Sequence, residues 1–187
     1  MGMTILAGLL VILVVVGAGG YLVSIHNRLV RLKTDIDKAW ANIDVLLKQR
    51  HDELPKLIET CKGYMPHEQK AFQMIVEARK AYPKAGTVQE KAQADAMLAA
   101  ALKNLFAVAK NYPELTANSS FLQLRGRIAG LEEEIAGRRE SFNAEVNSYN
   151  TRIAQVPEVF VARFKNLPAK ELFQVGAANR DVPVKSR

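Results

Sequence analysis

The chain opens on an unbroken apolar run. Residues 4–23 carry no charged side chain. About 20 residues at ~1.5 Å each cross a ~30 Å hydrocarbon layer, and a lone segment in lipid satisfies its backbone only as a helix. Gly17, Gly19 and Gly20 weaken a water-exposed helix but are common in membrane spans, and Tyr21 stands where an interfacial aromatic belongs. Residues 1–23 therefore read as a retained transmembrane anchor. The competing reading is a cleaved signal peptide, because Gly17-Ala18-Gly19-Gly20 is small enough for a signal peptidase. The missing basic segment ahead of the run, and the length of the run, speak against it.

Past the anchor the pattern changes to steps of three and four. Ile25, Leu29, Leu32, Ile36, Ala39, Ile43, Leu46, Arg50, Leu54, Leu57 and Cys61 keep one helical stripe facing a partner. Trp40, Leu47 and Ile58 widen it. Pro55 predicts a kink near residues 51–54, and Gly63 with Met65-Pro66 predicts the end. A second helix is predicted from Pro66, suited to a first turn, to about Tyr82. Thr87 with Glu90 forms a capping box for an alanine-rich third helix from Val88 to about Asn111. Ser120 with Gln123 repeats that signal ahead of a fourth helix, whose rhythm is Phe121, Leu124, Ile128, Leu131, Ile135, Arg138, Phe142, Val146, Tyr149, Ile153 and Val156. Pro157 ends or bends it. No segment alternates as a strand does.

The fold class is therefore all-α: an N-terminal transmembrane helix, then a bundle. The first and fourth bundle helices run roughly 40 and 37 residues, the second and third roughly 17 and 24. Short loops favour antiparallel neighbours, so the preferred arrangement is an antiparallel (up-down) four-helix bundle with two long and two shorter helices. The alternative stacks the two shorter helices end to end, making three layers.

Composition adds little. The 187 residues suit one domain plus an anchor, and the single cysteine, Cys61, excludes an internal disulfide and reads as a buried helical residue. The net charge of +7 is spread thinly. Its densest part is residues 158–187, with six Lys/Arg against three Asp/Glu. Nucleic-acid binding wants cations concentrated and interleaved with aromatics, so no nucleic-acid partner is expected. Arg28, Arg31, Lys33 and Lys38 follow the anchor while almost no charge precedes it. The positive-inside rule then places the N-terminus outside and the bundle in the cytoplasm, with a periplasmic or extracellular bundle as the alternative.

Candidate chemistry is sparse. Arg50 and Arg138 fall on core stripes and need a carboxylate or a route to solvent; Asp44, Glu53, Glu134 and Glu145 are the candidate partners. An ion pair fixing helix register is the plain reading of such a group, and a polar pocket between the long helices is the functional one. Asn42, Asn143, Asn147 and Asn150 predict an interhelical hydrogen-bond ladder. His26, His51 and His67 are too scattered for a helix-borne ligand pair and read as surface residues. Glu132-Glu133-Glu134 reads as a solvated face. No catalytic, cofactor-binding or metal residue is assigned, and no cofactor. Phe160, Phe164, Leu172 and Phe173 accompany the basic end, where Arg163, Lys165, Lys170, Arg180, Lys185 and Arg187 suggest support for membrane association over residues 163–187.

Two stretches resemble the LemA family of bacterial membrane proteins. One runs Ala39-Trp40-Ala41-Asn42-Ile43-Asp44-Val45-Leu46-Leu47-Lys48-Gln49-Arg50, continues through Leu54-Pro55-Lys56-Leu57-Ile58-Glu59-Thr60 to Lys62-Gly63-Tyr64, and reaches His67-Glu68. The other comprises Phe142-Asn143, Val146, Tyr149-Asn150, Ile153 and Pro157, where the family tends to repeat a Tyr-Asn pair; Phe142 stands where Tyr is usual. With the anchor, the likeness covers about residues 4–160, and the end after Phe164 matches poorly. The resemblance implies a single-pass bacterial membrane protein with an antiparallel helical bundle and no established enzymatic activity. The resulting division is residues 1–23 as anchor, 24–160 as LemA-like bundle and 161–187 as basic C-terminal tail. The expected role is a scaffold or interaction module at the bacterial envelope, not an enzyme, in contact with the lipid bilayer and a protein partner. The alternative is an enzyme or metal-dependent hydrolase with an unrecognised site in the bundle.

Overall fold

The computed structural model describes residues 2–174, and these contain helices and no strand. Helix α1 runs Gly2–Lys62 without interruption. The apolar run and the first amphipathic helix are thus one element of 61 residues, about 90 Å long at ~1.5 Å per residue. Its character changes abruptly along that length. Residues 2–24 are all exposed, and burial begins at Ile25 and Leu29. Helix α1 continues through Pro55, whose missing N–H leaves the carbonyl of His51 without its intrahelical donor.

Helix α2 (Gln69–Ala81) leads into a 3-10 turn at Tyr82–Lys84, and α3 (Val88–Ala109) follows. The capping box at its start forms as the sequence predicts. Thr87 Oγ1 accepts from the Glu90 amide at 3.1 Å, and Glu90 Oε2 accepts from the amides of Thr87 and Gly86 at 3.0 and 2.6 Å. A short helix α4 (Pro113–Thr116), absent from the sequence-based pattern, fills the next connection. Helix α5 (Ser119–Ala154) is capped by Asn118, whose Oδ1 accepts from the Phe121 amide at 3.0 Å. Asn118 thus takes the place predicted for Ser120; Asn is at least as good a cap as Ser, and the helix starts two residues earlier, at Ser119. After a cis Val156–Pro157 bond, α6 (Glu158–Phe164) begins, spanning the boundary drawn at residue 160.

The long helices lie side by side in opposite directions. Trp40 meets Phe142 (ring centroids 5.6 Å apart), Glu53 meets Arg127, and Tyr64 meets Asn118. Helices α2 and α3 form a second antiparallel pair, tied by Asn104 to Met74 and by Tyr112 to Glu68 at its open end.

Two apolar clusters make the core. The distal one joins Leu54, Leu57, Cys61, Ile75, Leu102, Leu105, Phe121 and Ile128. The second joins Ile36, Ile43, Leu47, Ile135, Phe142, Val146, Tyr149 and Phe173. Each fully buried side chain of this size contributes about 1.5–3 kcal/mol. The stripe on α1 is close to the one read from the rhythm, except that Leu47 is buried where Leu46 is half-buried. On α5, Arg138 is exposed and Arg139 is the half-buried one. Ile135 and Phe142 are seven positions apart, and the helix takes a step of four then three instead of three then four.

Candidate functional site

Polar side chains are organised inside the body at two places. The first lies where the two apolar clusters meet. Arg50 (1% exposed) reaches across to α3, and its Nη1 donates to Asp95 Oδ1 at 3.1 Å. None of the four carboxylates proposed from the sequence is the partner. Asp44 accepts from the Tyr82 hydroxyl at 2.8 Å and pairs with Lys91. Glu53, itself buried, pairs with Arg127 at 3.0 Å and Lys56 at 3.7 Å. Glu134 is exposed and Glu145 half-buried. Asp95 is the one acid on the buried face of α3, flanked by Ala92 and Leu98, and that position on an otherwise apolar stripe is the signal that could have found it. Burial pushes the Asp95 carboxyl above its ordinary range, against the pull of Arg50 and then Arg139. Arg50 Nε and Nη2 have no partner, an expensive arrangement for a guanidinium.

Beside this pair, Lys91 sits against the rings of Trp40 and Tyr82, 5.3 and 5.4 Å from their centroids. Burial raises the Asp44 carboxyl, but the hydrogen bonds from Lys91 and Tyr82 outweigh it and hold the group below its ordinary range. His51, read as a surface residue, instead contacts the Arg79 carbonyl oxygen at 3.2 Å and the Tyr82 ring. Its aromatic body finds apolar cover where α2 crosses α1. Among the described residues no group of His, Cys, Asp and Glu side chains comes together to hold a metal ion.

The second place is the surface of α5. Asn143 and Asn150 bond no neighbouring helix. Each grips the backbone of the segment after α6 in both directions. Asn150 Nδ2 donates to the Lys170 carbonyl at 2.9 Å while its Oδ1 accepts from the Lys170 amide at 2.8 Å. Asn143 does the same to Phe173, at 3.2 and 2.8 Å. The Tyr149 hydroxyl adds a bond to the Pro168 carbonyl at 3.2 Å. The spacing is matched: seven helical residues rise about 10.5 Å, and three extended residues cover about 10 Å. Asn42 and Asn147 are exposed and take no part. The predicted interhelical ladder is thus replaced by a clamp on an extended chain, because Asn carries both a donor and an acceptor on one short side chain.

The clamp explains the repeated aromatic-Asn pair. Phe142 and Tyr149 turn into the core, and the next residue in each pair faces the tail. Phe173 is fully buried against Trp40 (5.9 Å between centroids), with the Arg139 guanidinium 5.8 Å from its ring. Leu172 and Phe173 therefore face the bundle, not a membrane, while Phe160 and Phe164 stay exposed. Arg180, Lys185 and Arg187 lie outside the described residues.

These features define an all-helical protein with a long apolar N-terminal helix, two antiparallel helix pairs and a tail fastened by paired asparagines. The LemA family profile matches residues 39–185, and the chain belongs to that family. The match starts after the apolar run, not within it, and extends through the basic end after Phe164, where the motif resemblance is poor. The chain is also 26% identical over 159 residues to Protein LemA of Metamycoplasma hominis, covering 82% of this chain and 71% of that one.

Proposed function

We propose that this chain is a membrane-tethered interaction module: one span, then an up-down bundle of four main helices that offers long exposed faces to a protein partner at the bacterial envelope. It has no catalytic turnover of its own in this reading, and the bundle stands on the cytoplasmic side with the N-terminus outside. The observation that carries the proposal is the make-up of α1. An apolar stretch with no buried residue in it passes without a break into a helix of the packed body. Lipid is the solvent in which such a stretch is stable. Arg28, Arg31, Lys33 and Lys38 just beyond it support the orientation, and the antiparallel α1–α5 and α2–α3 contacts support the bundle arrangement.

The test places photo-crosslinking residues at exposed positions of α1 and α5, such as Val45 and Leu122, in the native membrane. Adducts with one recurring protein at neighbouring positions are expected. A body that yields no adduct anywhere, together with a measurable turnover, overturns the reading.

A further inference from the structure

Helix α6 has two unlike faces. Glu158 and Ala162 are 5% and 4% exposed, while Phe160 and Phe164, one turn apart, are 64% and 83% exposed, and Val156 just before them is 74% exposed. Two large apolar side chains bared at i and i+4 on α6, with Val156 exposed in the turn just before it, make an apolar patch that nothing in the body covers.

The place of that patch says what covers it. Helix α6 is fastened to the start of the buried part of α1: Glu158 Oε1 lies 3.8 Å from Arg28 and accepts from Arg152 at 3.4 Å. Phe160 and Phe164 then line an open groove of about 450 Å³ together with Leu22, Val23, His26 and Lys165. Leu22 and Val23 are the last apolar residues of the uncharged run. If the run fills the hydrocarbon layer, its last residues mark the layer's edge, and side chains packed beside them lie at the depth where aromatic side chains partition. Arg163 within α6 and Lys165 just after it are exposed, and Arg28, half-exposed, pairs with Glu158, so cations accompany the patch at headgroup level. His26 Nδ1, in the same groove, is buried and without a partner.

We propose that α6 is an interfacial docking helix: Phe160, Phe164 and Val156 insert into the bilayer surface beside the span, and the accompanying cations meet anionic headgroups. The body is then held to the membrane at two points. This rests on the reading of the apolar run as a span. It separates Phe160 and Phe164, which face lipid, from Leu172 and Phe173, which the clamp turns inward.

The test uses the full chain in vesicles of phosphatidylethanolamine and phosphatidylglycerol. Single cysteines replace Phe160, Phe164, Leu13 or Arg125 and carry a nitroxide label; Cys61 is fully buried and stays unlabelled. Collision with oxygen, which concentrates in lipid, is compared with collision with a water-soluble nickel chelate. A severalfold higher oxygen-to-nickel ratio is expected at 160, 164 and 13 than at 125. A lipid-like ratio at 13 with water-like ratios at 160 and 164 overturns the docking helix and leaves the span intact. Water-like ratios at 13 as well overturn both. Shielding from both reagents at 160 and 164 means that another protein surface covers them, and also overturns the proposal. All three aromatic and aliphatic side chains are exposed, so Phe160→Ser with Phe164→Ser leaves the fold intact and serves as a second measurement. That double variant is expected to restore nickel access at a label on Arg163→Cys; unchanged access there overturns the proposal.

Discussion

Replacing Asn150 with Ala removes two hydrogen bonds, of 2.8 and 2.9 Å, that hold the Lys170 peptide against α5. At about 1 kcal/mol net for each, the segment loses roughly 2 kcal/mol of docking free energy, or about 30-fold in its docking equilibrium. The freed peptide groups turn to water, so no buried orphan adds to the loss. Hydrogen exchange on the intact, detergent-solubilised chain reads this directly, because local opening sets the protection of amides that only local contacts bury. The Lys170 amide should exchange about 30-fold faster, and the Phe173 amide should follow, since both belong to one short docked segment. Amides in α1 and α3 should keep their protection. Asn150→Asp sharpens the test: it retains an acceptor for the Lys170 amide but sets a carboxylate against the Lys170 carbonyl, so it should also weaken docking. Unchanged exchange at Lys170 in the Ala variant, or equal acceleration throughout the helices, would refute the clamp.

Three further outcomes follow from the interior. Arg50→Met or Asp95→Leu alone strands a buried charge and should cost about 3–5 kcal/mol in denaturant unfolding, whereas the double variant should come close to the parent; additive losses would show that the pair is not coupled. Cys61 is fully buried and its thiol is pushed up to about 11 by burial, so thiol reagents near neutral pH should leave it untouched until the protein unfolds; fast labelling of the native chain would contradict the packing. The Asp44 carboxyl is held below its ordinary value of 3.8, so its contribution to stability is complete above that value and is lost as pH falls through the lower, folded value. The stability gap between parent and Asp44→Asn should therefore narrow below about pH 4, and a gap that widens on acidification would reverse the sign.

What the sequence made legible was local. The Thr87–Glu90 cap, the stripes on α1 and α5 and the all-helical class depend on residues within a turn or two of one another, and periodicity reports those. The partner of Arg50 was not legible because Asp95 lies 45 residues away on a helix whose rotation no local pattern sets. The rhythm points to Arg138 where Arg139 is the half-buried residue, because two step orders span the same seven positions equally well. The asparagines stand out in the sequence, but their role depends on a segment that has no periodicity. Only the docked backbone shows that Asn143 and Asn150 bind peptide groups, which any sequence could supply.

The continuity of α1 has a mechanical consequence. With no break in the helix between the apolar run and Lys62, the tip stands about 58 Å from Val23, and on the proposed reading of the run as a span the helix would act as a lever on it. A change of about 10° in the tilt of the span swings the tip sideways by about 10 Å, and spans tilt by up to about 40° as bilayer thickness varies. Thickening or thinning the lipid around the first 23 residues would thus be amplified at the far end of the body, where Tyr64 and Asn118 join the two long helices.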